Sequence, residues 1–238
     1  MKRIGVLGGI SPQATMDFEA RVHRLCQRLV PQQWNMAYPP MVVWYHRRLP
    51  VRVDDANRPI LPMEIDPQLV EAAAWLGTAC DFLVVPCNTA HIGLEALAKA
   101  AGRPVLSMID VTLDEVGRRG WQRVGVLGFN GPPSVYVEPL RRRGVHCETI
   151  DAQLQAGVDG GIRAVMEGRD GAAESKAAIA AVEALRTRAV DGAVLGCTEI
   201  PLLMGEAGEV ADLLNPAALL AEAAVRLALG DAVAASRA

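Results

Sequence analysis

Two cysteines of this chain occupy the same position in a repeated sequence pattern. Asp81 opens a short apolar run that ends at Cys87, and Asp191 opens a similar run that ends at Cys197. Small polar residues follow the cysteine in both copies, and the spacing from Asp to Cys is the same. A thiolate can remove a proton from carbon and a thiol can return one. Two such groups on opposite sides of one carbon would invert its configuration, so the pattern predicts a two-thiol proton relay.

Each of these cysteines is expected where a buried strand gives way to a helix. The apolar runs predict strands over 81–86 and 190–195, and residues 88–101 have the composition of a helix. In open parallel sheets, ligands bind beyond the carboxyl ends of the strands. The free N–H groups and dipole of a helix N-terminus would also lower a thiol pKa. We therefore expect Cys87 and Cys197 to be reactive, and Cys26, Cys80 and Cys147 to be buried structural residues.

The chain also repeats an earlier strand, which indicates an internal duplication. Ile4–Gly8 and Val124–Gly128 carry nearly the same Gly-Val-Leu-Gly sequence. Strands alternate with helical patterns throughout, which is typical of parallel sheets with right-handed crossovers. The predicted fold is α/β, with two similar lobes related by pseudo-twofold symmetry, each a parallel sheet flanked by helices. The first lobe is predicted over 1–103 plus 209–238 and the second over 104–208.

The remaining predicted elements follow from apolar periodicity, capping residues and breakers. Ser11 and Pro12 are expected to begin a helix. Residues 46–66 show no clear period and are predicted to be a long loop. The elements are helices over 13–29, 68–79, 111–119, 139–143, 158–168, 172–188 and 216–229, and strands over 41–45, 105–109 and 145–150.

Composition narrows the class of protein. The net charge of −3 gives no basic field for nucleic acid, and no apolar stretch is long enough to cross a membrane. The basic N-terminus precedes an apolar run too short for a secretory signal. Five cysteines cannot all pair, so reduced thiols in a cytoplasmic protein are expected.

Three motifs resemble those of the aspartate/glutamate racemase superfamily and are most similar to its aspartate racemase branch. They are Gly-Gly-Ile-Ser-Pro at the first glycine turn, Pro-Cys-Asn-Thr-Ala-His at Cys87 and Gly-Cys-Thr-Glu-Ile-Pro at Cys197. The resemblance covers essentially the whole chain. It implies a two-lobed fold with the active site between the lobes and PLP-independent, cofactor-free racemisation of an acidic amino acid. It also implies a homodimer.

The resemblance assigns roles to residues of this chain. Cys87 and Cys197 match the acid/base pair, and Arg52 matches a basic residue that reads a side-chain carboxylate. The full set of expected substrate-binding residues is Ser11, Arg52, Asn88, Thr89, Ala90, Asn130, Arg169, Thr198 and Glu199. The chain departs from the family at its second glycine turn, residues 128–134, where threonines are usual and Asn130 or Ser134 would substitute. It also departs at Arg169, which would replace a lysine.

Other interpretations stay open. The chain could be another isomerase or decarboxylase of the superfamily, such as a hydantoin racemase, maleate isomerase or arylmalonate decarboxylase, or a non-catalytic amino-acid-binding protein. A metal site at Cys87 and His91 and a nucleotide loop at Gly5–Gly9 are weaker interpretations. His91 is expected to be either a donor that supports the site or a residue of a helix face. His23, His46 and His146 are expected at the surface.

Overall fold

Two parallel sheets organise the computed structural model, which describes residues 1–31, 34–55, 58–131, 133–169 and 172–230. The strands are β1 (Ile4–Gly8), β2 (Met41–Tyr45), β3 (Phe82–Val84), β4 (Val105–Leu106), β5 (Arg123–Leu127), β6 (His146–Glu148), β7 (Gly192–Leu195) and β8 (Leu213–Leu214). Within the described residues each sheet has four strands, in the orders β2-β1-β3-β4 and β6-β5-β7-β8. The two sheets therefore share one connectivity, with every neighbouring pair parallel.

Helices connect the strands and cover the sheets. They are α1 (Pro12–Leu29), α2 (Pro67–Gly77), α3 (Leu94–Ala101), α4 (Met108–Arg118), α5 (Ser134–Arg142), α6 (Ala152–Met166), α7 (Ala172–Arg186), α8 (Glu199–Met204) and α9 (Pro216–Leu229). Short 3-10 helices lie at Thr89–Gly93 and Gly205–Gly208. None of the helices in the described part of the chain has both the length and the hydropathy needed to cross a bilayer.

The chain divides into two compact units. One comprises Met1–Met108 together with the described residues from Ala217, and the other comprises Ile109–Pro216. In the first unit, α9 packs through Leu220 and Val225 against the face of the sheet that carries Ile4. In the second unit, α6 and α7 pack on the sheet in a separate apolar cluster. The divisions fall a few residues after the lobe boundaries expected from the sequence, and those boundaries stay a prediction.

Side-chain caps set the beginnings of three helices. The Ser11 hydroxyl accepts a hydrogen bond from the Ala14 N–H, and Pro12 follows at the first helical position. Asp66 and Pro67 begin α2 in the same way. Asp151 caps α6 by accepting from the Leu154 N–H at 2.9 Å. The predicted helix start at Ser11 and Pro12 is therefore confirmed.

The α/β fold class and most elements agree with the sequence predictions, and several elements differ. The strand predicted over 105–109 ends at Leu106, because α4 begins at Met108 and not at 111. The short strand β8 has no counterpart among the predicted strands. The predicted helix over 88–101 is instead a 3-10 turn followed by α3. The helices predicted over 139–143 and 158–168 begin earlier, at Ser134 and Ala152. The sequence did not predict the start of α6 after its Asp151 cap. The glycines that follow within the helix have low helix propensity and weaken the helical pattern there. The loop over 46–66 contains two isolated antiparallel bridges, Val51 to Ile65 and Val53 to Pro59.

Candidate active site

The first thiol lies just beyond the carboxyl end of β3. Pro86 follows the strand, and the Cys87 N–H donates to the Val85 carbonyl at 2.8 Å, which turns the chain sharply. Cys87 is half-buried and is not part of a disulfide. Of the expected substrate-binding residues next to it, Thr89 is exposed, whereas Asn88 and Ala90 are buried.

His91 connects this turn to another part of the first unit. Its Nδ1 lies 2.9 Å from the Cys87 carbonyl oxygen. Its Nε2 accepts a hydrogen bond of 3.0 Å from the backbone N–H of Met108, the first residue of α4. The ring is buried and contacts backbone groups through both of its nitrogens, which fits the expected donor that supports the site.

The second thiol lies just beyond the carboxyl end of β7. Cys197 is also half-buried and is not part of a disulfide. Gly196 precedes it, and a Cβ at this glycine would lie 2.6 Å from the Leu127 carbonyl oxygen. The Gly196 N–H donates to that same oxygen at 2.7 Å, which extends the pairing of β5 with β7 up to the cysteine. Glycine is required here because the strands approach too closely for a side chain.

A buried carboxylate contacts the second thiol. The Cys197 Sγ donates to Glu199 Oε2 at 2.9 Å, and the Thr198 hydroxyl donates to the same oxygen at 3.1 Å. Glu199 is 2% exposed. Its other oxygen, Oε1, is buried and has no hydrogen-bond partner among the described residues. Glu199 was expected to bind substrate, and its observed position also fits a group that takes up the thiol proton.

The first glycine turn lies at the carboxyl end of β1, the neighbour of β3 in the first sheet. Gly9 adopts a φ of 74°, and a Cβ there would lie 2.3 Å from the Tyr45 Cα. The Gly9 N–H donates to the Thr15 hydroxyl at 2.8 Å, and that hydroxyl donates to the Ser11 carbonyl at 3.0 Å. The Ser11 side chain is buried and serves as the cap of α1, so its predicted contact with substrate is untested.

The second glycine turn is tied to α6. Asn130 has a φ of 56°, and its N–H donates to Asp159 Oδ1 at 2.8 Å. Gln155 donates to the same oxygen at 2.7 Å and to the Gly128 carbonyl at 2.9 Å. Asp159 is buried, whereas Asn130 is exposed. The turn that departs from the family pattern is thus fixed by its backbone, and its Asn130 side chain extends to the surface.

The loop after β2 forms an arginine-rich cavity of about 580 Å³. Arg47, Arg48 and Arg52 line it together with Asp66. Arg52 pairs with Glu64 at 2.8 Å, and Arg48 pairs with Asp66 at 3.3 Å. Because β2, β1 and β3 are parallel neighbours, this loop leaves the same sheet edge as the turn of Cys87. The cavity carries more positive than negative side chains and suits an anion.

His46 does not lie at the surface, so that prediction is wrong. It is 5% exposed, and its Nε2 lies 3.5 Å from Asp66 Oδ2. Burial lowers the pKa of the imidazole, and the Asp66 carboxylate opposes that shift. His46 directly follows β2, and its N–H donates to the Gly8 carbonyl at 2.8 Å, which brings it into the sheet edge. The charged residues of the loop suggest that His46 is exposed. Its position directly after the apolar strand β2 is the sequence feature that could have predicted its burial.

The three remaining cysteines and Arg169 show no feature of a catalytic or binding site among the described residues. Burial raises the pKa of Cys26 to about 11 and raises the pKa of Cys80 and Cys147. Cys147 is half-buried, not buried as expected. Arg169 is exposed, and its guanidinium is paired with Glu167 at 2.6 Å. Across the described ranges, no cluster of three or more His, Cys, Asp or Glu residues could hold a metal ion.

Comparison with known proteins shows which family and which relatives the chain resembles. Residues 7–224 match the family model described as Asp/Glu/Hydantoin racemase. The broad specificity amino-acid racemase RacX of Bacillus subtilis (strain 168) is 33% identical over 114 residues, which is 48% of either chain. The match thus spans about half the length of that relative.

Two solved structures share the fold at low sequence identity. The aspartate racemase of Picrophilus torridus has a TM-score of 0.76 and 22% identity, with 97% of this chain and 95% of that chain covered. An aspartate racemase homologue from Pyrococcus horikoshii OT3 has a TM-score of 0.72 and 20% identity, with 96% and 99% covered. The family match covers most of the sequence and ends close to the last helix. The chain therefore belongs to the Asp/Glu/Hydantoin racemase family.

Proposed function

We propose that this protein is a cofactor-independent amino-acid racemase in which Cys87 and Cys197 exchange protons with the substrate α-carbon. One observation carries the proposal: each unit has a half-buried thiol just after the corresponding strand of an identically connected sheet. Family membership supports racemase chemistry. One thiolate removes the α-proton from one face, and the other thiol protonates the opposite face.

The chemistry demands strong stabilisation of the transition state. A proton on carbon beside a carboxylate is very weakly acidic, so positioning and electrostatics must supply more than about 8 kcal/mol. Glu199 contributes by accepting the Cys197 proton, which leaves a thiolate for abstraction. The buried Glu199 Oε1 is an acceptor for a further donor, such as the substrate ammonium.

An acidic amino acid is the proposed substrate. The arginines of the cavity at 47–67 offer planar donors for a distal carboxylate, and Arg52 is the one that the family pattern assigns. Asn88, Thr89, Ala90, Thr198 and the two glycine turns are proposed to contact the shared amino-acid core. Because RacX has broad specificity by name, neutral and basic amino acids belong in the same screen.

Solvent deuterium exchange tests the function directly. The purified protein, without added cofactor, is incubated in D2O with each L- and D-amino acid, and both configuration and label are measured. We expect inversion with one deuterium at the α-carbon. Cys87→Ala and Cys197→Ala should each abolish inversion and retain at most exchange of one enantiomer. Cys147→Ala, at another half-buried thiol, is the matched control and should racemise normally.

Two results would contradict the proposal. Full two-way racemisation by either single cysteine variant would exclude the two-thiol relay. Binding of amino acids with no exchange at the α-carbon would instead indicate a non-catalytic binding protein.

A second candidate is an isomerase or decarboxylase of the same family that depends mainly on one thiol. The different surroundings of the two cysteines favour this candidate. The second residue after Cys197 is the buried Glu199, whereas the second residue after Cys87 is the exposed Thr89. Turnover of a maleate- or arylmalonate-type substrate that survives Cys87→Ala but not Cys197→Ala would support this function. The homodimer and the cytoplasmic location stay predictions.

A further inference from the structure

His91 occupies an unusual position in the turn that follows Cys87. In an α-helix starting here, the Cys87 carbonyl would accept the backbone N–H four residues later, which is that of His91. That N–H instead donates to the Asn88 carbonyl at 3.1 Å, as in a 3-10 turn. The His91 side chain reaches the Cys87 carbonyl through Nδ1 at 2.9 Å. The imidazole thus replaces its own backbone N–H as partner of the cysteine carbonyl.

The two contacts of the ring define its protonation. A backbone N–H can only donate and a carbonyl oxygen can only accept. Nε2 must therefore accept from Met108, and Nδ1 must carry the proton that it donates to Cys87. The neutral Nδ1–H tautomer alone satisfies both bonds.

The second contact joins the cysteine turn to the start of α4. The first N–H groups of a helix have no partner within the helix, and His91 Nε2 accepts one of them from Met108. Met108 is the last residue of the first unit before the chain continues into the second unit through α4. The buried His91 ring therefore connects the Cys87 carbonyl with the N–H of Met108 by two hydrogen bonds.

We infer that His91 is a positioning residue: its Nδ1–H tautomer holds the Cys87 carbonyl against the start of α4 and thereby aims the Cys87 thiol. The inference rests on the proposed function for its kinetic consequence, because a thiol that must approach one carbon loses rate when its peptide shifts. The side chain itself stays outside the reaction and exchanges no proton with the substrate.

Three substitutions separate the two bonds. His91→Asn can keep an amide donor toward the Cys87 carbonyl, and His91→Gln can keep an acceptor toward Met108. His91→Ala removes both. His23→Ala is the matched control, because its Nδ1 makes the same type of bond at 2.7 Å to a carbonyl four residues earlier, on the exposed side of α1.

The readout is the alkylation rate of each cysteine, resolved by mass spectrometry, together with kcat and KM. For His91→Ala we expect the Cys87 rate to change by about threefold or more while the Cys197 rate holds. We expect kcat to fall by about 10- to 100-fold with KM nearly constant. His91→Asn and His91→Gln should each restore part of the loss, and His23→Ala should match the parent in both assays.

Three outcomes would overturn the inference. The first is an unchanged Cys87 rate in His91→Ala, and the second is an equal change at both cysteines with a lowered melting temperature. The third is an imidazole 15N spectrum with the proton on Nε2. The alkylation and NMR readouts need no substrate, so a protein that racemises nothing would defeat the proposed function and still give a result for His91.

Discussion

The two thiols have different neighbours at the scale of single residues. Glu199 lies 2.9 Å from the Cys197 sulfur and is almost fully buried. One oxygen of this carboxylate contacts the thiol, and the other has no hydrogen-bond partner among the described residues. Burial of such a group destabilises the fold, and a functional role would explain why it is present. Under the proposed function, this carboxylate is the acceptor for the Cys197 proton, which is consistent with the contact between the two side chains.

Glu199→Gln tests this assignment. The amide keeps the shape of the side chain but cannot take up the thiol proton, so we expect racemisation to fall by about 10²- to 10⁴-fold. Alkylation of Cys197 should slow, while alkylation of Cys87 should not change. Glu206→Gln, at an exposed carboxylate of the same unit, is the control and should retain full activity. Undiminished racemisation by Glu199→Gln would remove Glu199 from the proton path.

Residue types and spacing select the candidate residues of the site, whereas the contacts between those residues depend on the fold. Cys197 and Glu199 were both selected from one motif, but a sequence does not reveal that the second side chain folds back onto the first. His46 was misplaced because charged neighbours suggested a solvated loop, whereas pairing of its backbone with Gly8 buries it. Such contacts depend on tertiary packing, which spacing along the chain does not encode.

At the scale of elements, the repeated aspartates have a structural role. Asp81 accepts from the Arg3 N–H at 2.6 Å, just before β1. Asp191 accepts from the Gln122 and Arg123 N–H groups at 2.7 and 2.8 Å, where β5 begins. In both units the aspartate before the cysteine strand thus fixes the start of the neighbouring strand. The shared spacing from Asp to Cys reflects the length of that strand and not catalysis.

These aspartates predict an acid-dependent loss of stability. The Arg3 side chain and N–H lower the pKa of Asp81 from its ordinary 3.8 to about 2. The backbone N–H groups of Arg123 and Gln122 lower the pKa of Asp191. Because the folded-state pKa is the lower one, the stabilisation is complete above about pH 4 and is lost as the pH falls toward 2.

Urea unfolding across this range measures the effect. Asp81→Asn and Asp191→Asn should each lower the urea midpoint at neutral pH and give a shallower decline between about pH 4 and pH 2 than the parent. Parallel declines in the parent and both variants would show that other carboxylates account for the acid sensitivity.

Elements with strong local signals were predictable, and those set by tertiary contacts were not. The strands β1, β3 and β7 are continuous apolar runs, β5 is apolar after Arg123, and α9 is rich in alanine and leucine. The 3-10 turn after Cys87 was not predicted, because the contact of the His91 ring with the Cys87 carbonyl leaves no periodic signal in the sequence. The two bridges in the loop over 46–66 pair residues of that loop with one another. Isolated bridges produce no periodic pattern of apolar residues, so the sequence could not predict them.

At the scale of the whole molecule, one chain carries two units of the same connectivity, and each unit has one candidate thiol just after the strand β3 or β7. A small sheet with a single thiol can deliver a proton to only one face of a carbon. Duplication within one chain supplies a second thiol without a partner protein. We therefore predict, from the proposed function, that the relay uses both thiols of a single chain, whether or not the protein is a homodimer.

Mixing two inactive variants tests whether one chain is sufficient. Cys87→Ala and Cys197→Ala proteins are co-expressed with different tags, and assemblies that carry both tags are isolated. We expect no racemisation, because neither chain has both thiols and a second copy supplies only the thiol of its own site. A parent chain co-expressed with the double variant should keep about half the activity per assembly. Recovery of two-way inversion in the mixed assembly would place the relay between chains and refute the single-chain scheme.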